Sequence, residues 1–190
     1  MSERDLVMIP GPTNIDPKVL RSMVRPTLSH TSGTFASIFR ETVADLARIF
    51  KTSGVVLPLA GTGTLGAEVA LSNVTEAGDK VLVVSGGYFG DRLAEIAVNL
   101  GARVDKFEGP WGSAPAIDDV ERKLSSTAYK VMAAVHVDTS TSVANPAKEL
   151  GALAQENDVL FVLETVCTRR PTRADDNFVR FESTEGKGAT

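Results

Sequence analysis

Cysteine is nearly absent from this 190-residue chain. Cys167 stands alone, so no internal disulfide can form, and a cytoplasmic home is the expectation. Histidine is almost as scarce, at His30 and His136, which leaves no cluster with the spacing of a metal site. No run of Lys or Arg precedes the last quarter of the chain, and the net charge is −4, so no nucleic-acid partner is expected. Nor does any apolar run reach the ~18–20 residues of a membrane span. The opening MSERDLVMIP lacks the apolar core of a signal peptide, so no membrane partner is expected either. What is present, 43% hydrophobic and 23% charged residues, is ordinary globular composition, and it is long enough to build one well-buried domain.

The first 33 residues read as an N-terminal arm and a short helix. Pro10 and Pro12 hold the arm extended, and Asp16 can cap a helix with Pro17 at its first position, running to about Val24. A longer amphipathic helix is predicted over Thr34 to Lys51, where Phe35, Ile38, Phe39, Val43, Leu46 and Ile49 recur at three- and four-residue steps. Residues 34–167 then alternate. Strands are predicted near 55–60, 80–85, 102–107, 131–137 and 159–163, with helices over Phe89 to Leu100, Ile117 to Leu124 and Pro146 to Glu156. Short apolar strands separated by helices imply an α/β fold: a three-layer, mainly parallel sheet with helices on both faces. The pattern stops near Cys167. Residues 168–190 hold nine charged residues and only five hydrophobic ones, a composition expected of a disordered tail.

The stretch VVLPLAGTGTLGAEVAL, Val55 to Leu71, carries the most chemistry. Val55 to Leu57 read as a buried strand, Gly61 to Gly63 as a turn, and Leu65 onward as a helix. Backbone N–H groups in a helix's first turn have no partner inside the helix and lie at its positive end, which suits a phosphate. Thr62 and Thr64 add hydroxyls, and the glycines let a ligand approach the backbone. The same turn serves equally for tight strand-to-helix packing alone.

GTGTLG also fits the dinucleotide pattern G-x-G-x-x-G, but that mechanism asks for an acid at the end of the next strand. The next strand ends Val84, Ser85, Gly86, and the nearest acid, Asp79, lies before the strand. A non-catalytic nucleotide- or phosphate-binding module using Gly61 to Gly66 is therefore the alternative. Three further positions fall just past strand C-terminal ends, the edge where open parallel sheets bind ligands. Tyr88 and Phe89 could stack on a flat ring, although Phe89 could equally cap its own helix's apolar face. Thr139 to Ser142 offer hydroxyls, or merely a capping loop. Glu164 follows a fully apolar strand, where an acid is costly without a partner, unless it is a surface acid past the sheet. A phosphate cradle, an aromatic plate, a hydroxyl loop and an acid together suit pyridoxal 5'-phosphate, whose ring nitrogen an acid keeps protonated.

At these residues the chain resembles the class V (fold-type I) aminotransferases, in particular the alanine–glyoxylate and serine–pyruvate group. The resemblance spans about Met8 to Cys167, in six collinear blocks: IPGPT, LSHTSGTF, LAGTGTLGAEVAL, GGYFGDRL, VHVDTSTSVANP and LFVLETVC. It implies that Thr62, Gly63 and Thr64 bind the cofactor phosphate and that Phe89 stacks on its ring. It further places Ser140 near the cofactor's polar edge, Glu164 at the pyridine nitrogen, Val166 on the ring's other face and Gly11 toward the substrate. The family more often has His at the position of Thr64 and Asp at that of Glu164. It also implies small amino acid and 2-oxo acid substrates and a homodimer. The family's Schiff-base lysine, in a Ser-Gln-Lys-like motif after this acid, has no match here. Lys187 is the only lysine beyond Glu164, in the unrelated setting STEGKGAT. The expectation is an N-terminal portion of such an enzyme, truncated or frameshifted, with no catalytic residue of its own and incompetent alone.

Overall fold

The computed structural model describes residues 7–168, so the tail expected over 168–190 lies, but for Thr168, outside the described residues. Two helices lead the chain. α1 (Pro17–Met23) starts where Asp16 accepts the Lys18 N–H and proline occupies the first turn. α2 (Gly33–Ile49) starts where the Ser32 hydroxyl accepts the Phe35 N–H. Neither helix contains a buried residue.

The α/β body follows, as α3 (Gly63–Val74), β1 (Lys80–Ser85), α4 (Tyr88–Asn99), β2 (Arg103–Glu108), α5 (Ile117–Ser126) and β3 (Val131–Val135). After these come a two-stranded ribbon, β4 (Val137–Asp138) with β5 (Val143–Ala144), then α6 (Ala147–Glu156) and β6 (Leu160–Glu164). β1, β2, β3 and β6 form one sheet in the order β2-β1-β3-β6, every pair parallel. Parallel strands need crossovers that cover both faces, which is why β1 and β3 are buried at nearly every position. Their side chains alternate between the two faces. Val81, Val83, Val131, Ala133 and Val135 pack with Leu71, Leu93, Ile96 and Ala97 of α3 and α4. Leu82, Val84, Met132 and Ala134 pack with Val120, Leu124, Leu150 and Leu153 of α5 and α6. The result is the three-layer arrangement.

Two sequence expectations need correction. Val55 to Leu57 is neither a strand nor buried: Val55 is 86% and Leu57 76% exposed. A strand is completed by a hydrogen-bonded neighbour, and no other described segment pairs with this one. The strand expected over 131–137 is broken at His136. There the His136 N–H donates to the Glu164 carbonyl, its own carbonyl accepts from Asn145, and Val137 and Asp138 leave the sheet to form the ribbon.

The burial pattern makes a direct prediction. Leu82→Ala, at a position with no exposure, should lower unfolding stability by about 2–5 kcal/mol. Leu57→Ala should change it by less than about 0.5 kcal/mol. Urea unfolding midpoints at unchanged m-value test the pair, and equal losses would contradict the assignment of the core.

Candidate functional site

The chain leaves β1 for α4 on one face of the sheet and leaves β3 for α6 on the other, which opens a crevice at the C-terminal ends of these two neighbouring strands. In doubly wound sheets such a switch point is where ligands bind. Two helix N-termini, those of α3 and α4, border it, and they are finished differently.

At α3, Thr62 is the cap. Its hydroxyl accepts the Leu65 N–H at 3.2 Å and its carbonyl the Gly66 N–H at 3.1 Å. The N–H groups of Gly63 and Thr64 precede these bonds and are left open, and the first turn carries no acid. The α4 N-terminus is closed by Asp138, which lies 49 residues further on than Phe89. Asp138 Oδ2 accepts the N–H groups of Phe89 at 2.9 Å and Gly90 at 3.2 Å. Its Oδ1 accepts the Ser140 N–H at 3.0 Å and the Ser140 hydroxyl at 2.7 Å, while Ser140 Oγ itself accepts the Tyr88 N–H at 2.9 Å. Asp138 is 1% exposed. The fit depends on Gly87, where a Cβ would fall 2.6 Å from Asp138 Cγ and from Ser140 Oγ.

A cavity of about 170 Å³ lies between α3, α4 and the end of β6, and Gly63, Thr64, Phe89, Glu164 and Val166 line it. Five of the residues singled out from sequence are thus brought together. Thr62 sits just outside as the helix cap, and Ser140 lies behind the α4 terminus with its hydroxyl engaged. Gly11 is on the exposed arm and lines neither this cavity nor the adjoining one, which runs beneath α3 along β6. Val166 stands between the two cavities and packs on Gly63, where a Cβ would fall 2.8 Å from Val166 Cγ2. Phe89 is 40% exposed and meets Tyr88 edge to face. Sequence reasoning missed Arg92 and Cys167, which also line the cavity, and it missed Asp138. Arg92 falls one helical turn after Phe89, a spacing that would have put it on the same face.

Glu164 is the strained group electrostatically. Burial pushes its carboxyl above the ordinary glutamate value of 4.5, the Val166 N–H donating to Oε1 opposes this, and the negative charge of Asp138 adds to the rise. Asp79 has the opposite environment. Its carboxylate accepts from Lys130 Nζ at 2.6 Å and from the Glu76 N–H at 2.7 Å, which lower its pKa and commit it to the other end of the sheet. It cannot serve a ribose at the glycine turn.

A family model for Aminotransferase class-V matches residues 14–171. The chain belongs to that family. It is 36% identical over 163 residues to the (S)-ureidoglycine–glyoxylate transaminase of Bacillus subtilis, a match covering 85% of this chain and 39% of that protein. With alanine–glyoxylate aminotransferase 1 of Saccharomyces cerevisiae the identity is 34% over 174 residues, covering 86% and 45%. The crystal structure of the Bacillus subtilis ureidoglycine–glyoxylate aminotransferase superposes with a TM-score of 0.83 at 34% identity, covering 88% of this chain and 44% of that one. The chain therefore spans less than half the length of the relatives it matches. The family's cofactor is pyridoxal phosphate. No described helix is long and apolar enough to cross a membrane.

The raised pKa of Glu164 carries a sign. The folded state holds this proton more tightly than the unfolded chain, so stability is lost as pH rises from about 4.5 through the folded value. Glu164→Gln keeps an acceptor for Val166 and removes the charge. Its urea midpoint should equal the wild type's below that range and exceed it at pH 7. A variant less stable at pH 7 would show that the ionised carboxylate is compensated in the folded chain.

Proposed function

We propose that this chain forms the phosphate-and-ring half of a pyridoxal phosphate site in a glyoxylate-type aminotransferase. The full-length activity would be amino transfer from a small amino acid, alanine or serine, to a small 2-oxo acid, glyoxylate or pyruvate. The observation that carries the reading is a pairing of opposites across one cavity. An α3 N-terminus with open N–H donors and no acid of its own faces Glu164, a half-buried acid with no cationic partner among the described residues. A ligand with an anionic end and a protonated ring nitrogen satisfies both. The residues present therefore fit the family's cofactor.

In this reading Gly63 and Thr64 bind the phosphate through their N–H groups, helped by the hydroxyls of Thr62 and Thr64. Phe89 and Val166 flank the ring and exclude water from its faces. Glu164 holds the proton on the ring nitrogen, and that contact in turn removes the penalty its buried charge now carries. When bound, pyridoxal phosphate supplies an electron sink for the bond breaking at the amino acid's α-carbon. Ser140 acts from behind α4, Gly11 belongs on the substrate side, and the assembly is a cytoplasmic homodimer. Exposed Phe35, Ile38 and Phe39 on α2 offer apolar surface for such an assembly.

By itself the 190-residue chain is proposed to be catalytically incompetent, because transamination needs a lysine to move the α-proton. Neither cavity has a lysine in its lining, and Lys106, Lys123 and Lys130 are paired with acids elsewhere, which supports this reading.

Titration decides between the readings. Pyridoxal phosphate should bind roughly tenfold more tightly than pyridoxal, whose missing phosphate forgoes charge-assisted bonds. Borohydride should trap no single stoichiometric lysine adduct, and alanine or serine with glyoxylate should give no turnover above free cofactor. NADH binding with no response to pyridoxal phosphate would instead favour the nucleotide module. A single-site adduct together with turnover lost on substituting that lysine would overturn the proposed incompetence.

A further inference from the structure

We infer that Asp138 is the positioning residue of this site: one buried carboxylate ties the hydroxyl loop to the first turn of α4, sets Phe89 beside the cavity and reserves anion binding for α3. The inference rests on the cofactor reading above and adds to it a residue that does not touch the ligand cavity.

The geometry is specific to a carboxylate. Four donors converge on its two oxygens, the N–H groups of Phe89 and Gly90 on Oδ2 and the N–H and hydroxyl of Ser140 on Oδ1. An ionised carboxylate accepts at both oxygens, whereas an amide sets its NH2 against the N–H groups of Phe89 and Gly90 in one orientation and against the Ser140 N–H in the other. The Ser140 hydroxyl passes the constraint on by accepting the Tyr88 N–H, and the Asp91 N–H bonds to the Gly87 carbonyl. Every donor of the first α4 turn is thereby used. An anion entering the crevice meets a filled, negatively charged terminus at α4 and an open one at α3. Phe89 is held by its own backbone N–H, so the carboxylate fixes the backbone from which its ring extends to line the cavity.

Gly87 is the second, independent observation. Its φ of 176° is extended backbone that any residue adopts, so the lack of a side chain there answers to space alone. The space is the approach of Asp138 and Ser140, each of which would lie 2.6 Å from a Cβ at that position.

The test titrates pyridoxal phosphate into the 190-residue chain, reading absorbance and the induced circular dichroism of the bound ring, with amide exchange of Phe89 and Gly90 followed in parallel. Asp138→Asn should weaken binding by about tenfold or more, reduce the induced band and release both amides to fast exchange. Phe89→Leu should lose the band while the amides stay protected, separating the ring from its support. Gly87→Ala displaces the carboxylate without removing its charge and should reproduce Asp138→Asn. It also carries the test if Asp138→Asn does not fold. Wild-type affinity and an unchanged band in Asp138→Asn or Gly87→Ala, alongside fast amides, would make the cap merely structural and refute the inference. A wild-type chain that binds no pyridoxal phosphate overturns the cofactor reading itself, and the role of Asp138 toward the cofactor with it. That outcome is distinct from a loss confined to the variants.

Discussion

A parallel sheet cannot leave either face to water, and in this chain that requirement determines where chemistry can be placed. β1 and β3 are apolar on both sides, so the segments leaving them must cross to opposite faces to cover them. The divergence opens a crevice between the two strand ends whose walls are the backbone starts of helices. Polar groups that enter it are removed from water and must find partners there. Asp138 and Glu164 both enter, and the site follows from how differently they are satisfied.

Asp138 meets four donors and is complete within the protein. Glu164 meets one, the Val166 N–H, and is half-buried near a second negative charge. Carboxylates in one crevice with such unequal partnership divide the labour physically: the completed one is scaffold, and the incomplete one is available to a cation. The same asymmetry appears in the helices. The α4 terminus is filled by a side chain, whereas the α3 terminus keeps its first N–H groups open. In the proposed site an anion and a cation therefore have one place each across the cavity, and the spacing between them is set by α3 and β6, elements anchored on the sheet.

Much of this was legible in the sequence because the relevant signals are local. Apolar runs marked β1 and β6, three-and-four periodicity marked α2 and α4, and the glycine turn announced the α3 terminus. What escaped was non-local. Val55 to Leu57 has the composition of a strand, but strand pairing is a property of two segments, and composition reports only one. Asp138 escaped because a cap supplied from 49 residues away leaves no mark near the helix it caps. A usable signal did exist. Glu164 drew attention as an acid directly after an apolar strand, and Asp138 stands in nearly the same relation to β3. Ser140 illustrates the converse: its residue type is plain in the sequence, but the demand on its hydroxyl comes from two partners that only the fold reveals.

The apolar residues fall into two populations with different consequences for the site. Most of those of the sheet and α3 to α6 are enclosed in two clusters, with Leu65, Tyr88, Phe89 and Val98 left exposed on α3 and α4. Phe35, Ile38, Phe39 and Phe50 on α2 and its end, with Val55, Leu57 and Leu59 after it, remain exposed. The boundary between the populations runs through the glycine turn, because Leu59 stands two residues before Gly61, whereas Leu71 at the other end of α3 has no exposure. One side of the turn is therefore fixed by the core and the other is tethered to a segment that lacks cover. Binding a phosphate with two backbone donors requires both sides to be still, and the ordering of the uncovered side counts against affinity. Any contact that buries Val55 to Leu59 would reduce that cost. The quality of the proposed cofactor site is thus coupled to apolar surface that lies outside its own cavity.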